Sequence, residues 1–243
     1  MIGASRALRC TIEPMIADPT QRRAWRPQAF GRRAARHIED PLVEPLWSGI
    51  RVLAHVAGPD VEFIDAEGQR QNWPDTAEAL AAAVQADSAV LDGYLTTEAS
   101  GDGVGVVAGP NPELPSARQM TRQMFVGGGG RSRRAELVAS IEAAATPVLS
   151  AADDVVFVAV DMLTFDDEPL LDVPLLERKR LLESVLAEGR HVRRSVHVRL
   201  PVDIWLRTWR NLGFQWVAYK EANSRYTPGT ANEDWVRAAI PRS

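Results

Sequence analysis

The amino-acid sequence predicts an α+β fold built on antiparallel sheets. Segments in which apolar and polar residues alternate recur along the chain, and helical segments fall between them without a regular βαβ order. The 243 residues, 45% of them hydrophobic, are enough to bury a substantial core. We find no self-similarity with a period of 20–50 residues, which argues against a repeat architecture.

The first 40 residues differ from the rest of the chain. They are rich in arginine and weakly periodic, which predicts an irregular or partly helical lead-in with a basic surface. After it, IRVLAHV and VEFIDAEGQ predict an antiparallel hairpin, with a turn at Glu67-Gly68. Asp75 and Glu78 resemble a capping box at the start of a helix. We therefore expect a lead-in over 1–40 and one domain over 41–243, packed together as one unit.

The later elements follow the same two periodicities. Strands are predicted in SAVLDGYLTT, DVVFVAVDML, HVRRSVHVRL and FQWVAYK, and helices in RRAELVASIEAAA, PLLERKRLLESVLA and PVDIWLRTWRNLG, the last ending at Gly213. The Gly/Pro-rich stretch 100–130 is expected to be a surface excursion. Its GGGG run is typical of a flexible linker, because no Lys-Ser/Thr pair follows to complete a phosphate loop.

Composition excludes several classes of protein. A net charge of -4 is not that of a dedicated nucleic-acid binder, so any such contact must be local. Cys10 is the only cysteine, which excludes a disulfide framework or a cysteine zinc site within one chain, and the four histidines lack metal-site spacing. No apolar run has the length of a membrane span or a secretory signal, so we expect a cytoplasmic protein. Lys179 and Lys220 are the only lysines, and Lys179, on an arginine-rich helix, is expected to be solvated.

Five segments carry a family resemblance in order along the chain. Residues 44–51, EPLWSGIR, match six of the eight positions of the motif E-P-K-W-D-G-x-R. The others are IEPMIA, LDGY at 91–94, VAVDMLTFDDEPLLDVPLLERKRLLE and QWVAYKEANSRYTPGTANEDWVR. Together they resemble the adenylation domain of ATP-dependent DNA ligases. The resemblance implies a ligase-type nucleotidyltransferase (ATP-grasp-like) fold, with two antiparallel sheets and flanking helices around a nucleotide cleft.

The departures from the family motifs affect the catalytic positions. Leu46 stands where the family lysine attacks the α-phosphate of ATP, and a leucine has no lone pair for that attack. Two family glutamates near the divalent metal align with Tyr94 and Gln215, which are neutral, so Mg²⁺ binding is not expected. Beyond these, Ser48 replaces an aspartate and Ala239 a lysine of the last motif. The resemblance therefore predicts no catalytic residue and no metal ligand.

Four residues remain as candidate contacts for ATP or AMP held non-covalently: Glu44, Arg51, Lys220 and Arg237. The simpler interpretation is that Glu44 and Arg51 form a surface ion pair and that Trp47, Trp216 and Trp235 fill the core. No C-terminal OB-fold is expected, because the chain stops at Ser243, shortly after the last motif.

Three functions stay open on the sequence. The leading hypothesis is a pseudoenzyme that binds a nucleotide, nicked DNA ends or a DNA-repair protein. One alternative is an active ligase or nucleotidyltransferase with a displaced nucleophile, for which Lys220 is the main candidate. The other is a purely structural or interaction protein.

Overall fold

A computed structural model describes residues 19–97, 149 and 154–241. The predicted helix RRAELVASIEAAA, the GGGG run and Cys10 lie outside these residues.

The largest sheet contains seven strands. Its main path is β5 (Arg70–Gln71), β4 (Asp60–Asp65), β3 (Ile50–Ala57), β6 (Ser88–Thr96), β7 (Val156–Phe165) and β8 (Glu168–Pro169), with every neighbouring pair antiparallel. The seventh strand, β9 (Val192–Arg194), pairs with β7 in parallel. The hairpin predicted from IRVLAHV and VEFIDAEGQ is β3–β4, but Gly58, with a φ of 54°, lies at its turn. The turn at Gly68 instead connects β4 to β5.

A second, antiparallel sheet joins distant parts of the sequence. β10 (Trp216–Glu221) lies between β2 (Pro41–Pro45) and β12 (Trp235–Ala239). In the lead-in, β1 (Ala29–Phe30) pairs in parallel with β11 (Ala231–Asn232), after the short helix α1 (Pro19–Arg22) and before a 3₁₀ turn at Ala35–His37. The predicted α+β class with two antiparallel sheets is confirmed.

Three longer helices flank these sheets: α2 (Pro74–Ala83), α3 (Leu175–Val185) and α4 (Asp203–Asn211). The capping box predicted at Asp75 is wrong, because Trp73 is the N-cap, Pro74 opens the helix and no side chain caps it. The single strand predicted for HVRRSVHVRL is also wrong: it ends at Arg194, and only an isolated bridge from Val198 to Val43 follows. Pro174 precedes α3, and Gly213 follows α4 with a φ of 98°, which glycine adopts without strain.

Apolar side chains bury both faces of the large sheet. One face packs beneath α2 and α3 in a cluster that includes Val52, Phe157 and Leu182. A second cluster joins the large and small sheets around Tyr94, Val158 and Val217. The two sheets therefore meet at the positions of the family motifs.

Candidate functional site

Glu44 is the centre of a buried ionic cluster between the two sheets. Its side chain is 1% exposed, with Lys179 Nζ 2.7 Å from Oε1 and Lys220 Nζ 3.1 Å from Oε2. Lys179 also donates to the Val160 carbonyl at 2.7 Å. The Lys220 ammonium lies 4.2 Å from the centre of the Trp235 ring, which adds a cation–π contact. Both lysines of the chain are thus bound to one carboxylate.

The cluster shifts the ionisation of its members. Burial alone would raise the pKa of Glu44, but the charges of Lys179 and Lys220 outweigh it and the pKa is lowered. Burial lowers the pKa of Lys220, and Glu44 only partly opposes this effect. Two ammonium groups share one carboxylate here, so an excess positive charge is buried unless Lys220 gives up its proton.

The motif arginine, Arg51, is held by a neighbouring strand. Its Nε and Nη2 donate to the two carboxylate oxygens of Asp92 at 3.1 and 2.7 Å. The Tyr226 hydroxyl donates to Asp92 Oδ2 at 2.8 Å, and it accepts from the Gln28 backbone N–H at 2.8 Å. Burial would lower the pKa of Arg51, but Asp92 outweighs it and the pKa is raised. Arg51 is therefore a fixed cation whose side chain remains 15% exposed.

A second bidentate pair lies directly beside the first. Asp161 is opposite Asp92 across β6 and β7, and it accepts from Arg178 Nε and Nη2 at 2.9 and 2.8 Å. Both carboxylates and Arg178 are fully buried. Adjacent buried carboxylates would repel each other strongly, so each needs its own guanidinium.

Leu46 follows β2 at the nucleophile position. Its backbone N–H donates to the Trp216 carbonyl at 3.0 Å, and its half-buried side chain packs against the cluster that contains Trp47 and Tyr94. Ser48 beside it is half-buried. The motif glycine, Gly49, has a φ of 127°, and a Cβ there would collide with the Leu95 carbonyl. The loop therefore retains the glycine that its path requires, although it has lost the lysine.

The two family carboxylate positions lie in different surroundings. Tyr94 is buried opposite Arg51, and burial raises the pKa of its hydroxyl against the influence of Arg51. Gln215 is exposed just before β10, and its carbonyl accepts from the Ile240 N–H at 2.8 Å. Within 19–97, 149 and 154–241, no group of three His, Cys, Asp or Glu side chains is placed to hold a metal ion.

Arg237 is the most accessible of the four candidate contacts. It lies across β10 from Glu44, since Ala218 pairs with both residues, so the two share one face of the small sheet. Burial lowers the pKa of Arg237, and Tyr94 opposes the shift. The structure thus brings Glu44, Arg51, Lys220 and Arg237 to one region, but Glu44 and Lys220 are buried there.

Several predictions about these side chains require correction. Lys179 is not solvated; it is 2% exposed, because it lies on the α3 face that packs on β7. Glu44 does not pair with Arg51 at the surface, since it binds the two lysines. Trp47 and Trp235 are in the core as predicted, whereas Trp216 is 38% exposed.

Sequence reasoning also missed Asp92 and Asp161, which fix the two arginines. Both lie in segments used for the resemblance, LDGY and VAVDML, in the middle of otherwise apolar strands. A charged residue in a fully apolar strand indicates a paired, buried group, and that signal was available.

None of the described helices is long and apolar enough to span a bilayer.

No family model matches the chain. Among characterised proteins, it is 26% identical over 212 residues to DNA ligase 2 of Methanosarcina mazei, covering 83% of this chain and 33% of that protein. It is 23% identical over 232 residues to the DNA ligase of Thermococcus onnurineus, covering 93% of this chain and 35% of that one. The chain thus spans about a third of the length of these curated relatives.

Solved structures agree on the fold. The ligase domain of M. tuberculosis LigD superposes with a TM-score of 0.57 at 21% identity, over 89% of this chain and 60% of that one. A mycobacterial DNA ligase D complexed with ATP and MES gives a TM-score of 0.56 at 21% identity, over 88% and 60%. The motif resemblance is thereby confirmed: in sequence and in fold, the chain is similar to the adenylation domain of ATP-dependent DNA ligases.

Proposed function

We propose that this ligase-like domain does not form lysyl-AMP and acts as a non-catalytic binding module. One observation carries the proposal: Leu46 occupies the nucleophile position, and the only two lysines, Lys179 and Lys220, are both buried against Glu44. Attack on the α-phosphate needs an amine with a free lone pair and an open approach. Leu46 has no amine, and the two lysine amines are enclosed.

We propose a polyanion, ATP or AMP in the simplest case, as the ligand. The region carries excess positive charge, because it contains five cationic side chains and three carboxylates. The cations are those of Lys179, Lys220, Arg51, Arg178 and Arg237, and the carboxylates are those of Glu44, Asp92 and Asp161. Phosphate oxygens would reach the exposed Arg237 and the partly exposed Arg51 first, since a guanidinium binds phosphate in a bidentate manner. Contacts with Glu44 or Lys220 would require their ion pair to open. Binding should not need Mg²⁺, because Tyr94 and Gln215 supply no carboxylate.

The covalent step is tested by incubating the purified chain with ATP and Mg²⁺ and measuring the intact mass. We expect no AMP adduct in the wild type. We also expect none in Leu46→Lys, because the two carboxylates that lie near the metal in the family are missing as well. An adduct on the wild type would overturn the proposal. If Lys220→Ala then abolished that adduct, the chain would be an active enzyme with a displaced nucleophile.

The binding step is tested by thermal shift with ATP, AMP and nicked DNA, each with and without EDTA. A ligand that binds the native state raises the unfolding midpoint. We expect a shift that EDTA leaves unchanged and that Arg237→Ala reduces. Arg180→Ala is the matched control, because Arg180 is an exposed arginine of α3 whose one ion pair among the described residues is with Glu177.

One observation favours a second candidate, a protein-interaction module. The five large apolar side chains that are exposed in the described residues all lie between 196 and 216: Val196, Leu200, Ile204, Trp205 and Trp216. These side chains lie close together in sequence, and exposed apolar side chains that form a patch are typical of protein contact surfaces. This candidate is favoured if the chain forms no adduct and none of the three ligands shifts the midpoint.

A further inference from the structure

A second polar region lies at the far end of the large sheet from the ionic cluster around Glu44. It is a groove of about 510 Å³ between the large sheet and the end of α1. His55 and Val90 line its floor with Thr164, and Arg22 and Arg23 lie along its side. None of these residues belongs to the ionic clusters around Glu44 and Asp92.

The floor is a single row of side chains across four strands. Glu62 of β4 is opposite His55 of β3, His55 is opposite Val90 of β6, and Val90 is opposite Thr164 of β7. Residues directly opposite in antiparallel pairs share one face of the sheet. Adjacent strands lie about 4.8 Å apart, so the backbones of His55 and Thr164 are separated by roughly 10 Å, with Val90 between them. The row therefore has an apolar centre and polar ends.

Polar atoms without partners are concentrated in this groove. Seven buried side-chain atoms of the described residues make no hydrogen bond, and five of them belong to groove residues: Arg22 Nε, His55 Nε2, Glu62 Oε2, Trp73 Nε1 and Thr164 Oγ1. Thr164 is 1% exposed and Arg22 5%. Glu62 Oε2 has only an ion pair with Arg23 at 3.4 Å. Buried polar groups without partners cost free energy, so such a concentration indicates a place for water or a ligand.

The formal charges of the groove cancel. Arg22 pairs with Asp167 at 2.6 Å, and Arg23 and Arg70 both pair with Glu62. The lining contains three arginines and three carboxylates, the third being Asp60. A phosphate or carboxylate ligand would find its cations already neutralised. The groove is therefore suited to a neutral ligand with both donors and acceptors.

We infer that this groove binds a neutral, planar heterocycle, such as the base of a free nucleoside. Val90 is 4% exposed in the free protein, so a flat ring would lie over it only if the Arg22 and Arg23 side chains shifted, and their guanidinium groups could then stack on the ring. Its edges would then face Thr164 Oγ1 and His55 Nε2, which have no hydrogen-bond partner of their own. This ligand class follows from the alternation of apolar floor and unpaired polar edges.

The test is isothermal titration of the full chain with adenosine and cytidine, which carry no phosphate. We expect saturable binding that Thr164→Val weakens roughly tenfold, because valine keeps the shape of threonine and removes Oγ1. Thr76→Val is the matched control. Thr76 is as buried as Thr164, but its hydroxyl already donates to the Val155 carbonyl at 2.8 Å, so its loss should leave nucleoside binding unchanged.

Arg237→Ala should also leave nucleoside binding intact, which separates this groove from the proposed polyanion site. The inference is overturned if neither nucleoside binds at millimolar concentration, if Thr164→Val binds as tightly as the wild type, or if glucose binds equally well. None of these results would affect the proposed function, whose test relies on Arg237 and phosphate ligands.

Discussion

Polar side chains at the two ends of strands β3, β6 and β7 differ in whether they have interaction partners. At the end that carries the family motifs, Arg51 has Asp92, Arg178 has Asp161, and Glu44 has both lysines. At the other end, His55 Nε2 and Thr164 Oγ1 have no hydrogen-bond partner. The same three strands thus carry charged side chains that are ion-paired at one end and polar atoms without hydrogen-bond partners at the other.

This difference indicates where an external ligand would form the most new hydrogen bonds. In the motif region, a ligand must compete with interactions that the side chains already make, including those of the exposed Arg237. In the groove, a ligand would supply hydrogen bonds that the protein lacks. The family resemblance points to the first region, whereas the buried polar atoms without hydrogen-bond partners point to the second.

The largest expected effect comes from removing the shared carboxylate. Glu44→Gln leaves Lys179 and Lys220 buried without a counter-charge, so the free energy of unfolding should fall by about 3–5 kcal/mol. Urea denaturation measures the change. Glu78→Gln, an exposed substitution on α2, should change stability by less than about 0.5 kcal/mol. A loss as small as that control for Glu44→Gln would mean that the cluster is hydrated.

A somewhat smaller loss is expected at the Arg51 pair. Asp92→Asn keeps one acceptor for the Tyr226 hydroxyl but removes the charge that faces Arg51, so stability should fall by about 2–4 kcal/mol. Arg51 retains partial exposure and the rings of Phe30 and Tyr94, which moderate the cost. Urea denaturation of Asp92→Asn and of Glu44→Gln ranks the two ionic clusters, and a larger loss of stability for Asp92→Asn would contradict the expected order.

Much of the fold could be predicted from the sequence, because β3, β6, β7 and β10 alternate or are continuously apolar. The arrangement of the site was harder to predict. The four candidate contacts do converge, but their partners come from distant segments, as Lys179 does for Glu44, and no local pattern encodes such pairings. Lys179 follows Leu175 by four residues and precedes Leu182 by three, so helical periodicity already placed it on the buried face.

The groove was not predicted at all. His55 and Thr164 are 109 positions apart, and their common row exists only because β6 pairs with both β3 and β7. An unpaired hydroxyl or imidazole nitrogen has no sequence pattern, since it is defined by the partner that is missing. Tertiary structure is therefore required to find such a site.

The pH dependence of stability tests whether His55 is held neutral. Burial lowers its pKa to about 4 from 6.5; Glu62 opposes this shift, while Arg22, Arg23 and Arg26 add to it. A depressed pKa in the folded state means that the unfolded chain binds the proton first. The stability associated with neutral His55 is thus fully present above pH 6.5 and is lost as pH falls toward 4.

The associated loss is up to about 3 kcal/mol, since each pKa unit corresponds to about 1.4 kcal/mol. Urea denaturation between pH 7 and pH 4 measures it, and His55→Gln should flatten this part of the profile. His37→Gln provides the comparison, because it makes the same substitution at a histidine that is exposed. A wild-type profile that is flat over this range would show that His55 is not kept neutral.

The smallest effect gives the sharpest comparison, because it contrasts two buried threonines. Thr76→Val removes a hydroxyl that bonds the Val155 carbonyl, and stability should fall by about 1 kcal/mol. Thr164→Val removes a hydroxyl without a partner, so stability should stay within about 0.5 kcal/mol or rise. Thermal and urea denaturation of both variants without ligand measure the difference. Equal losses of stability would mean that Thr164 Oγ1 already has a hydrogen-bond partner, and the two ends of the sheet would then not differ in how their polar groups are bonded.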